Sequence, residues 1–168
     1  MKKTLNTSFH VSNEHGLPYM ELNPLFQFTD QRTGWLHTAG KSRLYLFDAH
    51  VEDWTVIRDI AHTISPRVGL VMDTLEKIKD RESIYGMVAV IDEIEVYEPY
   101  RGKGYGRELL KEMEATLDFM YVNYIALVPA SPGSEYQTDS ATIHYFLEQG
   151  YQLYAGSIGS IPVVGKSL

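Results

Sequence analysis

The stretch from Ile84 to Leu110, IYGMVAVIDEIEVYEPYRGKGYGRELL, limits the fold more than any other part of the chain. Its MVAVI run is continuously apolar, as expected of a strand covered on both faces rather than one alternating between core and water. The turn that follows, RGKGYGR, holds three glycines and three basic residues. Beyond it Leu109, Leu110, Met113, Leu117 and Met120 recur at helical spacing, which predicts a helix from near Tyr105 to Met120. YIALV, Tyr124 to Val128, then reads as a second buried strand. Strand, glycine turn, helix and strand in succession make this an α/β chain.

The remainder is less sharply marked. Residues 1 to 24 are polar and irregular and read as an N-terminal arm or an early strand. From Leu25 to His50, LFQFT, GWLHT and SRLYLFDA are separated by DQRTG and AGK, the pattern of an antiparallel meander of short strands. Two helices are predicted next. The first carries Trp54, Ile57, Ile60 and Ala61. The second opens with Ser65 as N-cap and Pro66 in the first turn, and carries Val68, Val71, Met72, Leu75 and Ile78 as one stripe. After the YIALV strand comes the polar loop PASPGSEYQTDS, then a helix in SATIHYFLEQG ending at Gly150, then strands in YQLYAG and IPVVGK. No repeat or interdomain linker interrupts residues 1–168, which read as one domain.

Composition removes several classes of function. A formal charge of −7 over 168 residues argues against general binding to nucleic acid or an anionic membrane surface, both of which need a basic face. A cationic partner suits such a chain better. The absence of cysteine excludes disulfides, thiolate nucleophiles and cysteine-ligated metals. The six histidines show no metal-ligand spacing, and no serine sits in a nucleophile-elbow context. The two lysines at the start precede no apolar run of secretory length, and no stretch approaches the roughly 20 apolar residues that span a bilayer, so the expected location is cytoplasmic.

A glycine turn between a strand and a helix has a physical use. The first N–H groups of a helix lack internal partners and carry the positive end of its dipole, so they attract phosphate. Three uses of this turn compete with a plain tight bend. A dinucleotide site needs Gly-x-Gly-x-x-Gly and an acid some twenty positions on, and GKGYGR offers neither. A phosphate-binding loop of the Walker type needs Gly-Lys-Ser/Thr, which is absent. The third use fits: RGKGYG, Arg101 to Gly106, matches Arg/Gln-x-x-Gly-x-Gly/Ala, and the surrounding IDEIEVYEPYRGKGYGRELL resembles the coenzyme A pyrophosphate signature of the GNAT superfamily of N-acetyltransferases, with Val96 five positions before Arg101. The resemblance runs from Ile84 to Tyr151, with 84–151 as the coenzyme A-binding core.

The resemblance implies a GNAT fold, a mixed central sheet flanked by helices with two strands splayed around the coenzyme A site. It implies acetyl-coenzyme A as cosubstrate, without a metal, and an amine acceptor that is a small molecule or a protein lysine or N-terminus. Backbone amides from Gly102 to Arg107 would hold the pyrophosphate, through Gly102, Lys103, Gly104, Tyr105, Gly106 and Arg107, with Arg101, Lys103 and Arg107 as counter-charges. The backbone of Ile94, Glu95 and Val96 would pair with the pantetheine arm, and the Val96 N–H would polarise the thioester carbonyl. The first 80 residues depart from the family's usual order, since here the meander precedes the helices.

Acetyl transfer to an amine needs a proton removed, and Asp92, Glu93, Glu95 and Glu98 fall within seven residues. In the resemblance, Asp92 and Glu93 occupy the acid pair that binds the cationic amine in spermidine/spermine-type enzymes. Strand alternation places Glu93 and Glu95 on one face and Asp92, Ile94 and Val96 on the other. Glu93 is the first candidate for base or amine anchor, then Glu95 and Asp92, against the alternative that all are rim or ion-paired carboxylates. Where the family has a thiolate-protonating tyrosine this chain has Phe146, which with Ile143 and Leu147 reads as core; Tyr145 is the candidate acid if the register shifts. The reading is thus an acetyl-coenzyme A-dependent N-acetyltransferase, with a homodimer left open. The alternatives are a catalytically weak or inactive coenzyme A-binding module acting through protein contacts, and a nucleotide-binding regulator.

Overall fold

The computed structural model describes residues 5–12, 16–130, 134, 136–155 and 161–168. The His15 end of the arm and part of the PASPGSEYQTDS loop lie outside the described residues. The elements run β1 (Leu5–Ser12), β2 (Tyr19–Thr29), β3 (Leu36–Asp48), α1 (Trp54–Ile64), α2 (Pro66–Ile78), β4 (Met87–Val96), a 3-10 turn (Glu98–Tyr100), α3 (Tyr105–Phe119), β5 (Val122–Leu127), α4 (Ser140–Glu148), β6 (Gln152–Ala155) and β7 (Pro162–Ser167). Seven strands form one sheet in the order β1-β2-β3-β4-β5-β7-β6. Among the described residues only β4 and β5 pair in parallel; the other neighbouring pairs are antiparallel. No helix among the described residues is long and apolar enough to cross a membrane.

The sheet is covered on both faces, and the central strands divide their side chains between two cores by simple alternation. On one face Tyr45 and Phe47 of β3, Val88 and Val90 of β4, and Tyr124 and Ala126 of β5 meet the stripes of α1 and α2. On the other, Leu44 and Leu46, Ala89 and Ile91, and Ile125 and Leu127 meet Leu109, Leu110, Met113 and Leu117 of α3 and Phe146 of α4. This explains the unbroken apolar run in β4: neither face is wet. The α2 stripe expected from the sequence is buried from Val68 to Ile78, and each fully buried Val, Leu or Met there contributes about 1.5–3 kcal/mol. Ser65 caps that helix by accepting the Val68 N–H at 3.1 Å, ahead of Pro66.

The first half of the chain corrects the meander. Leu5–Ser12 is a strand rather than an arm, and GWLHT and SRLYLFDA are one long strand, β3, with AGK inside it. Gly40 in that tripeptide is not a turn residue. It sits opposite Val96, where a Cβ would overlap the Glu95 carbonyl, so glycine there permits a close backbone approach. Next to it β2 and β3 slip register between Phe26 and Gln27, leaving Ala39 as the extra residue of a bulge. The order β1 to β3 before α1 and α2 is as the sequence indicated.

Candidate functional site

The parallel pairing of β4 with β5 stops at Ile91 opposite Leu127, yet β4 continues to Val96 while paired with β3 as far as Gly40. The two central strands therefore part. A cavity of about 740 Å³ occupies the opening, lined by β4 from Ile91 to Val96, by Leu127 at the end of β5 and Val128 after it, by Tyr145 and Phe146 of α4, and by Gly106 at the start of α3. The splay expected from the resemblance is present.

Backbone polarity along the free edge follows from one bond. The Tyr97 N–H donates to the Ala39 carbonyl at 2.8 Å, toward β3. Peptide groups alternate sides along an extended strand, so those of Val96 and Ile94 point the other way, into the cleft. The Val96 carbonyl accepts Arg101 Nε at 2.7 Å, consistent with that orientation.

At the end of β4 the glycine turn delivers α3 to the mouth of the cleft. Gly102 and Gly104 have φ of 69° and 82°, a left-handed conformation that glycine adopts without penalty, and a Cβ on either would meet nothing within 4 Å. The glycines are needed for backbone shape, with open space outside them. Arg107 and Glu108 donate to the Gly104 carbonyl at 3.2 and 3.3 Å, so the Arg107 amide is already engaged within the helix. Lys103 Nζ is turned onto the Pro99 carbonyl at 2.7 Å. Tyr100 and Tyr105, on either side of the turn, pack with Phe28 of β2 at centroid distances of 5.5–5.7 Å and fix the turn against the sheet. The signal of this aromatic clamp in the sequence is the pair of tyrosines that bracket the glycine turn.

The acidic residues are arranged differently from the alternation expected. Leu44 opposes Ile91 and Arg43 opposes Glu93, so Asp92 is the extra residue of a bulge in β4. The bulge reverses the alternation beyond it: Ile94 and Val96 pack toward the α3 core with Ala89 and Ile91, while Asp92 stays on the α2 side. Asp92 is therefore not on the face of Ile94 and Val96. It is buried, its Oδ2 accepts Arg43 Nε and Nη2 at 3.1 and 2.8 Å, and its Oδ1 accepts the Ser65 hydroxyl at 3.2 Å. A carboxylate engaged at both oxygens ties the start of α2 to the sheet.

Glu93 and Glu95 share one cation, Lys41, at 3.4 and 3.7 Å; Arg43 stands 3.7 Å from Glu93 and Arg101 3.8 Å from Glu95. The Glu93 charge raises the Lys41 ammonium above its ordinary value. Both carboxylates are about two-thirds buried and border the cavity, whereas Glu98 lies exposed in the 3-10 turn.

On the opposite wall Phe146 is buried in the α3 core, as its place in the stripe indicated, but Leu147 is exposed. Tyr145 lines the cleft. Its hydroxyl lies beside the start of α3: a Cβ on Gly106 would stand 3.6 Å from it and 3.7 Å from Val96 Cγ2. Burial raises the Tyr145 phenol above its usual range, with Glu114 adding to the effect and Arg107 opposing it. Such a phenol keeps its proton through the neutral range. Among the described residues no group of three or more His, Asp or Glu is placed to hold a metal ion.

Comparison with known proteins agrees with this geometry. Residues 72–132 match the model of the acetyltransferase (GNAT) family. The chain superposes on a GNAT-family acetyltransferase from Listeria monocytogenes with a TM-score of 0.51 at 16% identity, covering 87% of this chain and 64% of that one. It also superposes on the polyamine N-acetyltransferase of Drosophila melanogaster that forms N-acetylagmatine (TM-score 0.51, 12% identity, 86% and 74% covered). A mosquito arylalkylamine N-acetyltransferase-like protein gives 0.53 at 12% identity, with the same two shares. The chain thus spans less than two thirds of the length of the Listeria protein, and at these identities the likeness is one of fold. No protein of curated function matches the sequence.

Proposed function

We propose that this chain, whose residues 72–132 match the GNAT acetyltransferase family, transfers an acetyl group from acetyl-coenzyme A to an amine by direct attack in a ternary complex. The observation that carries this reading is the parting of β4 from β5 beyond Ile91 and Leu127, which opens a cavity beside the glycine turn and the start of α3. The amides of the turn and first helical positions suit a pyrophosphate, and the cleft-facing Val96 N–H suits the oxygen of a thioester as it gains charge.

An amine attacks only when neutral, so a carboxylate bordering the cavity must take its proton directly or through water. Glu93 is the first choice and Glu95 the second, since both oxygens of Asp92 are committed to Arg43 and Ser65. Attack of the amine nitrogen on the carbonyl carbon gives a tetrahedral centre. Its collapse breaks the carbon–sulfur bond, and the departing thiolate takes a proton; Tyr145, protonated at neutral pH and beside Gly106, is the group we assign to that step. A thiol-release assay over a panel of primary amines, paired with the melting temperature in acetyl-coenzyme A, tests the reading. We expect stabilisation by acetyl-coenzyme A and thiol release with at least one amine. Stabilisation without release from any amine or lysine peptide would favour a binding module, and no stabilisation at millimolar ligand would remove both readings.

A further inference from the structure

A polyamine acceptor, such as that of the Drosophila enzyme named above, calls for unpaired acids in the acceptor cleft. The charged groups of this cleft are disposed the other way. Asp92, Glu93 and Glu95 each face at least one cation within 4 Å, supplied by Lys41, Arg43, Arg67 and Arg101. Asp139, the remaining acid on the wall, accepts the Thr142 N–H at 2.6 Å as the cap of α4.

Arg67 stands apart. It is the residue that the α1–α2 layer contributes to the cavity lining, held there by the Pro66 turn that starts α2. Its side chain is four-fifths buried, and its Nε, sealed from solvent, has no hydrogen bond. It is ion-paired with Asp92 Oδ1 at 3.4 Å, but that carboxylate also binds Arg43 at 2.8 Å and accepts the Ser65 hydroxyl, so two guanidiniums share one acid. One carboxylate shared between two guanidiniums leaves a positive charge in excess at this wall, and the planar fork of arginine can donate two parallel N–H bonds to a further carboxylate.

The geometry points to an acceptor that carries a carboxylate beside its amine, an amino acid rather than a polyamine, with Arg67 as the residue that binds the carboxylate. The inference rests on the acetyl-transfer reading only for the identity of the second ligand; the binding of a carboxylate at Arg67 stands apart from turnover. The Glu93 and Glu95 ion pairs then balance the cleft without a polycation, and the amine is presented from the α2 side toward the cleft-facing edge of β4.

The test uses matched pairs that differ by one carboxylate: L-lysine and cadaverine, L-arginine and agmatine, L-tyrosine and tyramine. Binding is read as the shift in melting temperature of the full chain saturated with coenzyme A, so that it does not depend on catalysis, and kcat/KM is read in parallel with acetyl-coenzyme A. We expect at least one amino acid to bind about 10-fold or more tighter than its decarboxylated partner, the range for hydrogen bonds to a charged group. Arg67→Ala should erase that difference while leaving the amine partner unchanged, and Arg67→Lys should keep part of it. Tighter binding of the decarboxylated member in every pair, or a carboxylate preference that survives in Arg67→Ala, overturns the assignment. A carboxylate preference in binding without any thiol release would leave Arg67 in place and remove the transferase reading instead.

Discussion

The two walls of the cleft are built by different means. On the wall proposed for coenzyme A the cleft is made of backbone: two left-handed glycines, the first turn of α3, and the edge of β4 that alternation turns toward the cavity. On the wall proposed for the acceptor it is made of side chains, Asp92, Glu93, Glu95 and the cations on β3, α2 and the turn that bridge them. A backbone site depends on local conformation, which a short run of residues dictates. A side-chain site depends on register and on partners far away in sequence. The first should therefore fail under a single glycine substitution, and the second should respond unevenly, its members differing in stability and in turnover.

The sharpest break of the first wall is Gly104→Glu. The position has φ of 82°, so any side chain is strained, and it is open to solvent, so a carboxylate would stand where the pyrophosphate is expected. We expect loss of the melting-temperature rise in acetyl-coenzyme A, with a protein still cooperatively folded. Gly104→Ala separates strain from charge and should retain weakened binding. Unchanged affinity in folded Gly104→Glu would sink the assignment of the turn.

On the second wall the largest effect should be on stability. Asp92→Asn leaves Arg43 and Arg67 without the buried charge they flank. Loss of one partner from a buried pair costs about 3–5 kcal/mol, and because Arg43 is 41% exposed and can recruit water we expect about 2 kcal/mol. Denaturant unfolding reads this directly. Glu93→Gln should change stability by no more than about 0.5 kcal/mol, as for other partly exposed pairs. Equal stability losses in the two variants would show that the bulge does not divide the acids as described.

This wall was the part least legible in the sequence. The glycine turn, the α2 cap at Ser65, the buried runs of β4 and β5 and the α3 stripe could all be read, because each is specified within a few residues. The bulge at Asp92 could not, since it is defined by which β3 residue opposes which β4 residue, and one inserted residue reverses the alternation of every β4 position beyond Asp92. The same holds for Gly40: next to Ala and Lys it looks like a turn, and only the approach of Glu95 from fifty-odd positions away gives it another purpose. Arg67 followed a proline at a helix start and gave no sign of pointing into a cavity. Tyr145 was legible only as an alternative, because helical spacing places it beside the apolar stripe, and the placement of α4 against the parted strands decides that this flank faces the cleft.

Turnover separates the acids further. If Glu93 takes the amine proton, Glu93→Gln should lower kcat/KM about 10-fold at neutral pH, less than the usual 100-fold or more for a lone base, because Glu95, which shares Lys41 with it, can substitute. The loss should shrink as pH rises and free amine becomes available without a base. A wild-type pH profile in the variant would exonerate Glu93.

The smallest expected effect sits where the two walls meet. The Tyr145 phenol is raised by burial, so in the folded protein it remains a proton donor from neutral pH to beyond 10, and an alkaline limb due to its ionisation should lie above that value. Tyr145→Phe removes the proton and keeps the ring against Phe146, 5.2 Å between centroids. Because a coenzyme A thiolate leaves tolerably without help, near pKa 8.5 for a thiol, we expect kcat to fall only about 3- to 10-fold with KM for acetyl-coenzyme A unchanged. The loss should also narrow with pH, as the need to protonate the thiolate fades above its pKa. A rise in KM at constant kcat would instead make Tyr145 a wall of the cleft that packs against the cosubstrate, and the proton would then come from water.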